Sequence, residues 1–132
     1  MGIIDFFGKK PLPAFLYDLH CELNPFRLKA HKNDAIDLEV RLVNTTTAPL
    51  LTSVIISVPR TLGMDQTGLS HEKEVRMGVL QPGEHKQFRV GVFSNQKSAP
   101  GSYPVRVHAT AHYHDYGHVM NQVRQTLTVR VE

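Results

Sequence analysis

Apolar and polar residues alternate with a period of two along most of this chain. Between Ile36 and Leu42, apolar residues take the even positions and charged residues stand between them. This pattern is typical of a β-strand with one buried face. Comparable runs predict seven strands, at 15–23, 36–42, 50–58, 72–80, 88–92, 103–109 and 123–131.

Residues typical of turns separate these runs, as in the segments 81–84, 98–101 and 114–117. In Pro82-Gly83, proline fixes φ and glycine tolerates a positive φ, which together favour a tight turn. We expect the side-chain amide of Asn44 to satisfy backbone groups of the loop that follows it. Because no helical pattern lies between the strands, parallel βαβ units are excluded. The chain is therefore predicted to form an antiparallel β-sandwich of seven to eight strands over residues 14–132, preceded by an amphipathic segment over residues 1–13.

The composition limits the class of protein. A chain of 132 residues, 41% hydrophobic and 20% charged, corresponds to one ordered domain. Its net charge of +3 is small for a nucleic-acid binder, so we expect no nucleic-acid partner. The single cysteine, Cys21, lies in an alternating apolar stretch and is interpreted as a small buried hydrophobe. With no internal disulfide, no secretory signal and no long apolar run, the protein is predicted to be cytoplasmic.

Four motifs resemble those of bacterial and archaeal immunoglobulin-like modules. They are the strand 37–44 that ends in Asn44, the "Gly-x-Leu-x-Pro-Gly-Glu" run 78–84, the "Pro-Gly-x-Tyr-x-Val-x-Val" run 100–107, and a Tyr- and Asp-containing hairpin at 113–117. The closest families are the CARDB-type domain and the Ig-like domain associated with alpha-galactosidases. This resemblance spans roughly residues 23–131 and implies an immunoglobulin-like sandwich that serves as a non-catalytic spacer or binding module.

Four of the eight histidines fall in one short segment: His108, His112, His114 and His118. The first three share strand parity, and His118 is expected to return beside them across a hairpin. Imidazoles on one face are ligands for zinc, copper or nickel, and Asp115 offers an oxygen ligand. The alternative is a polar outer face without metal, since the spacing matches no established zinc signature.

The N-terminal segment departs from the β pattern. Its apolar residues have the i, i+3, i+4 spacing of a short amphipathic helix, and two lysines and a proline follow; the residues are Ile3, Ile4, Phe6, Phe7, Lys9, Lys10 and Pro11. Three interpretations stay open, because the segment is too short to be stable alone. It docks on the sandwich, it mediates self-association, or it lies at a membrane surface.

No catalytic motif is visible, neither a phosphate loop, nor a nucleophile elbow, nor a Cys-x-x-Cys pair. We therefore predict a protein that is not an enzyme and has no small-molecule substrate. The leading hypothesis is a non-enzymatic interaction or structural module that binds a protein partner or itself, with contact through residues 3–10. The alternative is a metal-binding protein that uses the His-rich hairpin 108–118.

Overall fold

The computed structural model describes residues 16–25 and 27–132. Within these ranges the chain forms nine strands: β1 (Tyr17–Asn24), β2 (Arg27–Leu28), β3 (Ala35–Asn44), β4 (Leu50–Ser57), β5 (Leu62–Gly63), β6 (Glu72–Leu80), β7 (His85–Ser94), β8 (Gly101–His112) and β9 (Val119–Val131). No helix capable of crossing a membrane occurs among the described residues.

The strands form two sheets. One has four strands in the order β1-β3-β7-β5, and the other has five in the order β2-β9-β8-β4-β6. Neighbouring strands are antiparallel, except that β2 runs parallel to β9. The predicted all-β class and the sandwich architecture are confirmed, and all seven predicted strands are present. The two strands that the sequence pattern missed, β2 and β5, have two residues each, too few to show a period.

The core lies between the two sheets and is built by alternation. On β3, Leu38, Val40 and Leu42 are fully buried, and on β8 the same holds for Val105 and Val107. The residues between them face outward, as the period of two requires. The alternation therefore fixes which face of each sheet is left to solvent or to a partner.

Side chains in the connecting loops satisfy the backbone. Asn44 is fully buried, and its Nδ2 donates to the carbonyl oxygens of Ala48 at 2.8 Å and Leu80 at 2.9 Å. Its Oδ1 accepts from the backbone N–H of Thr46 at 2.9 Å. The expected role of Asn44 is confirmed. Gly83 has φ of +77°, as the predicted Pro82-Gly83 turn requires.

One end of the sandwich, which we call the hairpin end, gathers several chain segments. There β3 and β8 finish, β4 and β9 begin, and the first described residue, Leu16, accepts a hydrogen bond from the backbone N–H of Thr45 at 3.1 Å. The predicted boundary near residue 14, between an N-terminal segment and the sandwich, lies outside the described residues and stays a prediction.

Candidate interaction surface at the hairpin end

The β8–β9 hairpin closes through a compact turn at residues 113–118. The backbone N–H of Tyr113 donates to the carbonyl of His118 at 3.0 Å. The Oδ1 atom of Asp115 accepts from His118 Nδ1 at 2.7 Å and from the backbone N–H of Gly117 at 2.9 Å. These hydrogen bonds, that from His118 foremost, lower the pKa of the Asp115 carboxyl. At the start of the turn, His114 takes a φ of +67°.

Tyr116 fastens this turn to the outer face of the five-stranded sheet. Its hydroxyl accepts a hydrogen bond from the backbone N–H of Gly78 on β6 at 3.0 Å. Its ring meets the ring of His112 edge-on with centroids 5.1 Å apart, and the Arg76 guanidinium lies 4.7 Å from the Tyr116 centroid. Tyr116 therefore spans from β8 to β6 and fixes the hairpin against the sheet.

Below Tyr116, His112 and Ser53 form a buried polar pair. His112 Nε2 lies 2.7 Å from Ser53 Oγ, and the two residues are 6% and 0% exposed. A serine beside a histidine is part of a nucleophile–base arrangement. Here, however, His112 Nδ1 has no hydrogen-bond partner within the described residues, and Ser53 is inaccessible to a substrate. The pair is a buried polar contact between β4 and β8.

Exposed apolar side chains surround this polar pair. The strand register places Val79 opposite Leu51, Leu51 opposite His112, and His112 opposite Val119, in one row across β6, β4, β8 and β9. Leu51 is half-buried, while the exposed fractions of Val79, Val119, Met120 and Tyr113 lie between 48% and 55%. We call Leu51, Val79, Tyr113, Val119 and Met120 the hairpin-end surface.

Two irregularities in the strands shape this surface. In β9, Ala111 faces Asn121 and His112 faces Val119, so Met120 is an extra residue. In β6, Thr52 faces Gly78 and Ser53 faces Arg76, which leaves Met77 as an extra residue. Bulges of this kind bend a strand and redirect its side chains. They place Val119 and Met120 together at the exposed start of β9.

The structure separates the four clustered histidines. His108 stands on β8 between Ile55 and Arg124, and His112 is held under Tyr116. His114 and His118 are in the turn, with ring centroids 6.4 Å apart. The expectation that His114 shares the strand face of His112 is wrong, because β8 ends at His112 and His114 adopts the left-handed conformation.

These positions bear directly on the metal hypothesis. Within the described part of the chain, no group of three or more His, Cys, Asp or Glu side chains is arranged to hold a metal ion. Among the candidate ligands His108, His112, His114, His118 and Asp115, all of them described, Asp115 and His118 form a hydrogen bond with each other. Its geometry is that of a contact within the turn. The geometry of the hairpin therefore favours a structural role for these side chains over a shared metal site.

The remaining sequence-based candidates divide into two groups. Ile3, Ile4, Phe6, Phe7, Lys9 and Lys10, predicted to contact a partner or a membrane, lie outside the described residues. Cys21 is buried and its burial raises the pKa of the thiol to about 12, which confirms its interpretation as a core residue. The chain pattern did not point to Ser53, Tyr116 or the hairpin-end surface. In the sequence, two signals could have pointed to this surface: Val79 at an outward-facing strand position, and the adjacent apolar residues Val119 and Met120.

No protein-family model matches the chain, and no curated protein sequence matches it significantly. Among solved structures, a crystal structure of Escherichia coli alpha-2-macroglobulin from domain MG7 to the C-terminus has a TM-score of 0.63 at 16% identity, over 91% of this chain and 17% of that chain. The cryo-EM reconstruction of E. coli alpha-2-macroglobulin gives 0.58 at 16% identity, over 86% of this chain and 6% of that one.

A domain of similar size also matches. PapD-like domain 7 of human CEP192 has a TM-score of 0.51 at 13% identity, covering 100% of this chain and 96% of that chain. The fold is an immunoglobulin-like β-sandwich. At these identities the likeness extends to the fold, and a fold does not determine a function. This domain spans a small part of the macroglobulin chains, so their activities belong to those larger proteins.

Proposed function

We propose that this domain is a non-enzymatic protein-binding module and that its hairpin-end surface is the binding site. The observation that carries this proposal is the set of apolar side chains on β6, β4 and β9 at the hairpin end: Val79, Val119 and Met120 are exposed, and Leu51 is half-buried. Contiguous exposed apolar surface marks sites of interaction, because leaving it in water is unfavourable. The expected partner is a protein with a complementary apolar surface.

The rigidity of the site supports this choice. Tyr116 fixes the hairpin to β6 by the hydrogen bond to Gly78 and by its contacts with His112 and Arg76. Side chains that are already ordered lose less conformational entropy on binding. Leu51, Val79 and Val119 moreover project from the face of a sheet, which suits a protein surface better than a small ligand.

Two finer proposals accompany this function. The four sequence motifs support a place among CARDB-type or alpha-galactosidase-associated Ig-like domains. The single buried thiol of Cys21 supports a reducing, cytoplasmic location. Membrane contact through residues 1–10 is an alternative to protein binding, and vesicle flotation tests it.

Affinity capture with matched variants tests the binding site. The full chain, Val119→Lys and Leu69→Lys are used as baits in native lysate, and captured proteins are quantified by mass spectrometry. Leu69 is the control because it is 82% exposed and lies in the β5–β6 connection, away from the hairpin end. We expect a specific protein whose recovery falls about tenfold or more with Val119→Lys, a loss of about 1.4 kcal/mol in binding, and is unchanged with Leu69→Lys.

Two results would contradict the proposal. Identical captured proteins for all three baits would show that the hairpin-end surface binds nothing in the lysate. Light scattering that finds a dimer for the unmodified chain and a monomer for Val119→Lys would show that the occupant is a second copy of this chain.

A further inference from the structure

Basic side chains occupy the outer face of the five-stranded sheet beyond the hairpin end. On β8 and β9, His108 is paired with Arg124, and Arg106 is paired with Thr126 one step further from the turn. Paired residues on neighbouring strands project from the same face of a sheet, as do positions two apart on one strand. Arg106 and Arg124 are exposed and His108 is half-buried. We call these three residues the basic strip.

The two arginines of the basic strip have no acidic partner within the described part of the chain. Neither guanidinium forms an ion pair there, whereas Arg76 on β6 lies 3.5 Å from Glu74. Asp18 lines the same lateral depression as Arg124, but these two side chains form no ion pair. The positive charge of Arg106 and Arg124 is therefore available to an acidic group from outside the domain.

The acidic side chains of this sheet lie elsewhere on it. Glu72 and Glu74 are on β6, which β4 separates from β8. At the usual spacing of neighbouring strands, β6 lies about 10 Å from β8 and about 14 Å from β9. At the far end of β9, Glu132 lies 3.8 Å from Arg130, so these two charges offset each other. The outer face is therefore acidic toward β6 and basic along the middle of β8 and β9.

The basic strip continues the hairpin-end surface without a charged residue between them on β8. From His112 to His108 the distance along β8 is four residues, or about 13 Å. The row between them is neutral, with Gln122 Nε2 donating to Thr110 Oγ1 at 3.2 Å. Beside His108, the half-buried side chain of Ile55 adds an apolar contact. One segment of a partner can therefore contact both areas.

The chemistry of the two areas together indicates the chemistry of the partner. Guanidinium groups bind carboxylates with paired hydrogen bonds, and the imidazole of His108 can donate a further one. A nucleic acid would neutralise the arginines but leave Val119 and Met120 in water, and its phosphates would be repelled by Glu72 and Glu74. Acidic side chains next to apolar ones satisfy both areas.

We propose that the partner of the hairpin-end surface is a protein segment whose acidic side chains lie about 13 Å from its apolar ones. The apolar side chains contact the hairpin-end surface, and the acidic side chains contact the basic strip. This inference rests on the proposed function and adds to it the charge and the orientation of the partner, because complementary charges orient a partner and select it.

Selection from displayed random peptides tests the proposal. Peptides of about twelve residues span the distance between the two areas whether they are extended or helical. The library is first depleted on Val119→Lys and then selected on the unmodified full chain. Enriched peptides are synthesised, and their affinities are measured by fluorescence polarisation for the unmodified chain, for Arg106→Gln with Arg124→Gln, and for the control Arg41→Gln with Arg89→Gln. The control removes the same charge from the outer face of the other sheet.

We expect the selected peptides to combine Asp or Glu with apolar residues. Their affinity should fall about threefold or more in Arg106→Gln with Arg124→Gln, stay nearly unchanged in the control, and weaken as salt is added. All four arginines are exposed, so these substitutions should leave the fold intact, which urea denaturation checks.

Three results would overturn the inference. Val119-dependent peptides without acidic residues, or equal losses in the two double variants, would do so while the proposed function stands. An empty selection would show that no short acidic segment is recognised, and capture from lysate with Val119→Lys then decides the proposed function separately. Binding of a fluorescein-labelled oligonucleotide that requires Arg106 and Arg124 but is unaffected by Val119→Lys would assign the basic strip to nucleic acid.

Discussion

The outer faces of the two sheets differ in chemistry although the same alternation produces both. On the four-stranded sheet, Glu39 accepts a hydrogen bond from Gln87 Nε2 at 3.0 Å and lies 3.5 Å from Arg89 Nε. On the five-stranded sheet, the corresponding positions at the hairpin end carry Val79, Leu51 and Val119 around a buried histidine. The outer face of the four-stranded sheet is therefore polar here and suited to contact with water. At the hairpin end, the outer face of the five-stranded sheet is apolar, and other side chains cover only part of it.

The two outer faces differ in how their side chains are satisfied. Charged side chains on an outer face are satisfied by solvent and by one another, so they need no partner. Exposed valines and methionine are not satisfied in this way, and Tyr116 shields only the part of the sheet above His112 and Ser53. Under the proposed function, the five-stranded sheet binds the partner and the outer face of the four-stranded sheet stays in solvent.

Of the variants that test this difference between the two faces, Tyr116→Ala should cause the largest change in stability. The variant loses the hydrogen bond to Gly78 and the ring contacts with His112 and Arg76. We expect a loss of about 2 kcal/mol in the free energy of unfolding, measured by urea denaturation. The control Tyr113→Ala removes a ring that is half exposed and should change stability by less than about 0.5 kcal/mol. Equal losses for the two variants would show that Tyr116 does not fasten the hairpin.

A smaller effect is expected on the outer face of the four-stranded sheet around Glu39, Gln87 and Arg89, which we call the charged face. Arg89 is 66% exposed at its side chain, and its ion pair with Glu39 is open to water. Arg89→Ala should therefore cost no more than about 0.5 kcal/mol in urea denaturation, and the cost should shrink further as salt is added. A loss above about 1 kcal/mol that persists in salt would mean that this face is structurally as important as the Tyr116 contact.

The smallest effect concerns the pH dependence of the hairpin turn. The hydrogen bond from His118 and that from the Gly117 N–H lower the pKa of Asp115 in the folded protein. Because the folded pKa lies below the unfolded one, this stabilisation is complete above the unfolded pKa and is lost as pH falls through the folded pKa. Unfolding curves recorded at decreasing pH should show a slightly smaller acid-induced loss for Asp115→Asn than for the unmodified chain. An identical loss would leave Asp115 without a role in the turn.

Most of the fold can be predicted from the alternation of apolar and polar residues. Where that prediction failed, the failure has a physical reason. The predicted strand at 50–58 matches β4 almost residue for residue, because every second side chain there is buried. The last strand was predicted from Val123 but begins at Val119, since the bulge at Met120 interrupts the period of two. The short strands β2 and β5 depend on neighbouring chain segments that are distant in sequence.

The candidate site was less accessible to sequence reasoning. The shared parity of His108 and His112 was correct, but the strand end at His112 removed His114 from that face. The contact between Tyr116 and Gly78 joins residues 38 apart in the chain and has no local signature. Likewise, the row of Val79, Leu51 and Val119 exists only once the register of four strands is set. Pairing between strands, rather than any motif, assembles this surface.

Site-specific photo-cross-linking in cells tests the difference between the two faces most directly. A photoreactive residue replaces Val119 in one variant and Gln87, on the charged face, in the other. The proposed function predicts a discrete adduct with another protein from position 119 and none from position 87. Adducts of equal yield and identity from both positions, or none from either, would contradict the assignment of binding to the hairpin-end surface.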